Sequence, residues 1–334
     1  MKVWFPTIKT NSGSDKFVER LAQSLSGIGI EAEITWYPHW REIIPLRKRD
    51  IFLPVNVDII HVNSWHGYVF SHFGKPIVST CHHSVHDKYY KHFSSFLQKF
   101  YYKFLVYRFE KKTFSHSTVT TVVSEYTSSL VTQHFPGVYP VVILNGIDTS
   151  FYKPIKEYQN TKTLRILYVG NASRRKGTDL LAPIMKQLGE GFELRYSAGL
   201  STKNLSIEGN CTKLESLSDA DLLREYQSCD IVLFPSRYEG FGYVACEAMS
   251  CGKVVVACRN TALPELIDHG KTGILCATDD VNGMVDAIRQ LAENFELRKN
   301  IGRNARVIAE ERFNESRMVN EYVLLYEKLL CSLP

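Results

Sequence analysis

Ile231-Val232-Leu233-Phe234, followed by Pro235 to Gly252 (PSRYEGFGYVACEAMSCG), is the stretch whose reading decides the fold. The apolar tetrad predicts a strand buried on both faces, as in a parallel sheet. Gly240 and Gly242 permit a turn that most side chains obstruct, and Val244 to Met249 reads as the opening turns of a helix. A strand that passes through glycines into a helix start presents unpaired N–H groups and a positive dipole end, a setting that suits an anion. Glu239 and Glu247, eight residues apart, are placed so that both can face one cleft. Carboxylates repel a phosphate but accept well from paired hydroxyls, as on a sugar ring or a ribose. The competing reading is two solvated surface acids.

Several ordered blocks over this region carry a resemblance. Glu239-Gly-Phe-Gly and Glu247-Ala-Met-Ser-Cys-Gly are similar to the E-x7-E signature of family-4 retaining glycosyltransferases with the GT-B fold. Gly252-Lys253-Val254-Val255-Val256-Ala257 follows, with Lys253 and Val254 where the family often has Gly-x-Pro. Leu263-Pro264-Glu265 and Gly270-Lys271-Thr272-Gly273 resemble the family's next block. The fold this implies is α/β, GT-B, with two Rossmann-like αβ domains facing a cleft. Residues 1–150 form the acceptor-binding domain, with 315–334 crossing back onto it, and 151–314 form the nucleotide-sugar-binding domain.

Bulk properties agree with that division. A chain of 334 residues is long for one core, and two domains of about 150 residues are expected. The net charge of +5 is mild, which fits an anionic ligand or membrane surface without demanding nucleic acid. No apolar run approaches the ~18 residues of a spanning helix, and the N-terminus lacks the long apolar core of a signal peptide. Eight cysteines are scattered with no C-x-x-C pair, so a reducing, cytoplasmic setting is expected, with the sequons at Asn171, Asn204, Asn210 and Asn314 as chance matches.

Along the chain, Met1 to Phe5 predicts a strand, Pro6 to Ser14 a polar loop, Asp15 to Ser26 a helix and Glu31 to Trp36 a second strand. This is a Rossmann-like opening without the G-x-G-x-x-G fingerprint. Its Gly13 either approaches the donor diphosphate, as the resemblance implies for this loop, or is a turn glycine. Strands at Ile59 to Val62 and Pro76 to Thr80 lead into histidine-rich loops containing His66, His82, His83 and His86. Ligand crevices of open α/β sheets lie at such strand ends, and histidine both donates and accepts hydrogen bonds. A zinc site of His82, His83 and His86 lacks supporting cysteines or carboxylates beyond Asp87. Thr80-Cys81-His82 resembles the family's T-x-H, whose histidine faces the acceptor and reacting sugar.

Lys88 to Lys112 holds ten aromatics and seven Lys/Arg against a single acid, Glu110. One helical stripe, Phe93-Phe96-Phe100-Phe104-Tyr107, is expected to pack on the sheet, leaving Tyr90-Leu97-Tyr101-Leu105 beside lysines. That leftover stripe is either further core or a contact with an anionic membrane. Ser115 to Ser124 reads as strand, and Val141 to Asp148 closes the first domain, its Leu144-Asn145-Gly146-Ile147-Asp148 resembling the family's P-N-G-V-D block. Asn145 is thereby an acceptor-side candidate. Phe151 to Thr163 reads as a linker, and Leu164 to Val169 opens the second αβ series.

Asn171-Ala172-Ser173-Arg174-Arg175-Lys176-Gly177 resembles the family's G-R-x(n)-K-G, in which arginine and lysine hold the donor phosphates. Lys176 carries over directly. Asn171 stands where the family has arginine, and either Arg174 or Arg175 is expected to replace it. The resemblance implies a metal-independent, retaining hexosyltransferase using a UDP- or GDP-linked sugar and no cofactor. Its acceptor is a glycan or lipid-linked hydroxyl, with a role in cell-surface polysaccharide or glycolipid synthesis at the inner face of the membrane. Glu239 is expected at the sugar ring, Glu247 at the ribose, and the backbone from Gly240 through Phe241, Gly242 and Tyr243 to Val244 at the diphosphate. His82, Glu239 and Lys176 are the catalytic candidates. A related epimerase or a non-catalytic sugar-nucleotide-binding protein is the alternative.

Overall fold

The first strand, Lys2–Ile8 (β1), explains how the N-terminal half is layered. Its side chains alternate faces. Val3 and Phe5 point toward helix Gly13–Gly27 and the C-terminal helix Glu315–Cys331, while Trp4 points into a second cluster with Ile60, Val62, Phe70 and Ile77. All three residues are fully buried because helices cover both faces of the sheet. The computed structural model describes residues 1–44, 46–155, 163–197, 207–215 and 217–332. Most of the expected linker, 156–162, and the sequon at Asn204 lie outside the described residues.

The chain divides into two units. The first comprises Met1–Gly146 with Glu315–Pro334, and the second Ile147–Asn314. The units part after Gly146, where Ile147 donates its N–H to the Phe313 carbonyl and forms a bridge with Asn314. In the first unit, Glu31–Tyr37 (β2), Ile59–Asn63 (β3), Ile77–Cys81 (β4), Val119–Val122 (β5) and Val141–Val142 (β6) join β1 in a parallel sheet of order β2-β1-β3-β4-β5-β6. The strand β1 runs on through Pro6 to Ile8, where a loop was expected. Beyond Trp4 it pairs only with β2, so the missing proline N–H breaks no hydrogen bond toward β3. The C-terminal helix buries Met318, Val319, Tyr322 and Tyr326, each worth about 1.5–3 kcal/mol of apolar burial at most. The Tyr326 hydroxyl reaches His61 Nδ1 at 2.6 Å.

In the second unit, Leu164–Tyr168 (β7), Phe192–Ser197 (β8), Cys211–Leu214 (β9), Ile231–Phe234 (β10), Val254–Cys258 (β11) and Ile274–Cys276 (β12) form a parallel sheet of order β12-β11-β10-β7-β8-β9. That is the doubly wound order, with its direction of winding reversing between β7 and β10. The central β10 and β11 are wholly buried, as their unbroken apolar runs require.

The aromatic segment departs from expectation. It is broken into Lys88–His92, Phe96–Tyr101, a π-helical turn at Tyr102–Val106 and Tyr107–His116. The π turn inserts an extra residue and rotates the following face. Tyr102 and Val106 turn inward, while the middle of the expected core stripe turns out ahead of that turn, on the helix restarted by the Ser95 capping box: Phe96 is 83% exposed and Phe100 57%. Leu97 and Leu105 are exposed beside them, whereas Tyr90 and Tyr101 pack against the buried Val85–Tyr102–Val106 cluster.

Candidate functional site

Two loops meet at the switch point of the second sheet. One leaves the carboxyl end of β7 and forms the 3-10 turn Arg174–Lys176, whose start is capped by the Ser173 hydroxyl accepting from the Lys176 N–H. The other, Pro235 to Gly242, leaves the carboxyl end of β10. They lie in contact because Gly177 adopts φ +73 and has no side chain: a Cβ there would come within 2.1 Å of the Pro235 carbonyl oxygen. At this junction Lys176 Nζ donates to Glu239 Oε1 at 2.5 Å, above the Phe234 ring. Arg175 Nη1 donates to the Tyr238 carbonyl at 3.1 Å, and the Arg237 N–H to the Arg175 carbonyl at 2.8 Å.

Burial governs the charges here. It pushes the Glu239 carboxyl up, but the Lys176 and Arg175 charges outweigh it and hold the carboxyl below its ordinary value. Burial lowers the Lys176 ammonium, opposed by Glu239. The loop ends at Gly242, whose φ of +124 suits glycine, and helix Tyr243–Ser250 begins there. Phe241 is buried, its ring edge-on to those of Phe313 and Tyr243. Glu247 is buried just over one turn into the helix and accepts from the Tyr226 hydroxyl at 3.1 Å.

A buried arginine that sequence reasoning missed holds this junction. Arg237 donates to Asp179 through both terminal nitrogens, at 2.7 and 2.8 Å, to Asp279 through Nε at 2.5 Å, and to the Arg174 carbonyl. Thr261, also unremarked, accepts the Glu239 N–H at 3.1 Å. Of the two basic candidates, Arg174 is exposed and Arg175 half-buried.

The first unit has its own winding reversal, between β1 and β3. A cavity of about 280 Å³ lies at the carboxyl ends of these strands and of β4, and both His66 and His82 line it. His82 Nε2 sits 3.1 Å from Asn63 Oδ1, with its ring against Phe17. Burial lowers it to a pKa of about 3. His66 Nε2 lies 3.0 Å from the Glu42 carbonyl, and burial lowers it to about 4. Asn145 lies apart from this lining; it is buried with no partner for its side-chain oxygen. Gly13 is the first residue of its helix, behind the N-cap Ser12. His86 Nε2 is engaged by Glu110 Oε2 at 2.7 Å, and no three His, Cys, Asp or Glu side chains among the described residues are grouped to hold a metal ion.

The comparisons follow the same division. Residues 12–151 match the model described as Glycosyltransferase Family 4, and residues 153–307 match Glycosyl transferases group 1. The chain is 30% identical over 194 residues to an uncharacterized glycosyltransferase of Methanocaldococcus jannaschii, covering 57% of this chain and 54% of that one. It spans between about a third and two thirds of the length of the curated relatives it matches. The fold matches, over the whole of both chains, sucrose-phosphate synthase from Thermosynechococcus elongatus (TM-score 0.86, 18% identity). It likewise matches Anabaena HepE solved with UDP and glucose (TM-score 0.75, 20% identity). The architecture is GT-B.

Proposed function

The chain belongs to the family-4 glycosyltransferases, and from that premise we propose that it moves a sugar from a nucleoside-diphosphate sugar to a hydroxyl of a glycan or lipid-linked acceptor, retaining configuration. The observation that carries this reading is the Lys176–Glu239 pair at the carboxyl ends of β7 and β10, immediately before a helix start. Cation, carboxylate and N–H groups there match the three parts of such a donor: diphosphate, sugar hydroxyls and ribose. Lys176 and Arg175 take the phosphates, Arg175 being the one whose guanidinium lies against the Glu239 loop. The backbone of Gly240 to Val244 assists them, Glu239 takes the sugar ring, and Glu247 the ribose.

As the bond from the anomeric carbon to the β-phosphate breaks, its electrons pass to the departing phosphate oxygen. The acceptor oxygen bonds the anomeric carbon on the same face and gives its proton to that oxygen. Fixed cations and N–H groups at the leaving phosphate lower this barrier, so the reaction is proposed to need no metal. His66 and His82 are assigned to the acceptor side because they share the first unit's cavity. Asn145, outside that lining, has less support. A UDP donor has support from HepE, which was solved with UDP and glucose.

A thermal-shift series with UDP, GDP, ADP and their glucose conjugates tests the donor. One base is expected to raise the melting temperature, and Glu247→Ala to abolish most of that rise. No shift with any nucleotide would sink the reading. Acceptor-dependent release of the nucleoside diphosphate separates a transferase from an epimerase, which frees sugar without acceptor, and from a binding protein, which releases nothing.

Peripheral membrane association at the cytoplasmic face is part of the same proposal. Its support is the exposed Phe96, Leu97, Phe100, Phe104 and Leu105 beside Lys99 and Lys103. Lys99→Glu with Lys103→Glu is expected to weaken co-sedimentation with phosphatidylserine vesicles more than ~10-fold; equal sedimentation rules the contact out.

A further inference from the structure

The cavity of the first unit carries chemistry that restricts what can enter it. At about 280 Å³ it is small, just below the ~300–1,000 Å³ common for ligand pockets. Among the described residues that line it there is no lysine or arginine; its only formally charged lining residue is the acid Glu42. Both lining histidines with lowered pKa values, His66 and His82, are neutral near pH 7, and burial raises the Glu42 carboxyl. An anionic group placed here meets no lysine or arginine among the lining residues, so whatever water it gives up goes uncompensated.

Among the described residues that line the cavity, two have a buried polar atom without a partner: Thr7 Oγ1 and His66 Nδ1, on residues 2% and 6% exposed. The His66 tautomer follows from its other nitrogen. Nε2 faces the Glu42 carbonyl, which can only accept, so Nε2 carries the proton. Nδ1 therefore presents a lone pair, and its complement is a donor such as a hydroxyl. Trp65, Tyr90 and Tyr102 supply apolar walls of the kind that cover the C–H faces of a ring.

The geometry points to an acceptor whose reacting end is an uncharged polyhydroxyl ring, a sugar without phosphate or carboxylate, seated on Thr7 Oγ1 and His66 Nδ1. This rests on the reading of the first unit as the acceptor side.

Saturation-transfer NMR on the full chain tests it, using methyl glycosides of glucose, galactose, mannose and N-acetylglucosamine against the corresponding 6-phosphates. At least one neutral glycoside is expected to bind, with its 6-phosphate ~100-fold weaker. His66→Phe, which keeps the ring and removes the lone pair, and Thr7→Val, which keeps the shape, are each expected to weaken binding ~10-fold. Equal binding of the phosphates, binding of neither set, or undiminished binding in both variants overturns the proposal. UDP included in each sample reports the donor site separately, so failure of the donor reading leaves the glycoside result interpretable.

Discussion

Lys176→Ala is expected to slow sugar transfer by ~10²–10³-fold, the cost of removing one fixed donor from a site where negative charge develops. The group is held where that charge appears: Nζ is 2.5 Å from Glu239 Oε1, on a turn fixed by the Ser173 cap and by contact of Gly177 with Pro235. The single substitution has a second effect. It leaves Glu239, 8% exposed, without its lysine, and stripping one partner from a buried pair costs ~3–5 kcal/mol. Lys176→Met with Glu239→Gln separates the two effects, since a neutral pair of similar size restores stability while leaving the phosphate uncompensated. A double variant that melts like wild type and still transfers at the wild-type rate would remove Lys176 from the mechanism.

Acid titration supplies an independent reading of the same pair. Glu239 has a folded-state pKa below its ordinary 4.5, so it contributes stability that is fully present above pH 4.5 and is lost as pH falls through the depressed value. Glutamine has no such limb. The gap in melting temperature between wild type and Glu239→Gln is therefore expected to be constant above pH 5 and to shrink below pH 4.5.

Much of this architecture was legible in the sequence because it rests on apolar runs and caps. Ile231–Phe234 reads as a strand of a parallel sheet buried on both faces and is one. Ser218 and Asp221 form a capping box, and the Ser-x-x-Asp spacing is itself a helix-start pattern. The failures have physical reasons. Pro6 reads as a strand breaker, yet its place beside a single neighbour makes its missing N–H harmless. The aromatic segment has helical spacing throughout, but the chain restarts its helix at the Ser95 capping box and takes a π turn at Tyr102–Val106, and these two backbone breaks put Phe96 and Phe100 outside and Tyr102 and Val106 inside. At the site, the order of blocks exposed Lys176, Glu239 and Glu247, which are local to their motifs. The first unit's cavity needs residues from β1, β3 and β4 together, and only sheet order places those side by side.

Arg237 is the sharpest case, and its replacement carries the other large expected effect. In the sequence it is one arginine in a polar loop; its partners Asp179 and Asp279 lie 58 and 42 residues away. In the fold the residue is 7% exposed, and its guanidinium makes bonds in three directions: to both Asp179 oxygens, to Asp279, and to the Arg174 carbonyl. It thereby holds the cationic turn against the loop that bears Glu239, acting on the donor through Lys176 and Arg175 rather than by contact. A lysine retains the charge but not the planar fork, so Arg237→Lys cannot satisfy all three partners at once. Asp179 and Asp279 are open to solvent, which screens their share, so the loss of stability is expected to be ~1–3 kcal/mol. The turn, however, loses its register. A displacement of even ~1 Å at a phosphate-binding group costs ~10²-fold in rate, so Arg237→Lys is expected to remain folded while its transfer rate falls by that order and its UDP affinity drops. A positioning role requires that both losses appear together in a folded variant. Folded Arg237→Lys with wild-type UDP affinity would mean that the turn keeps its place unaided, and that Arg237 serves stability alone.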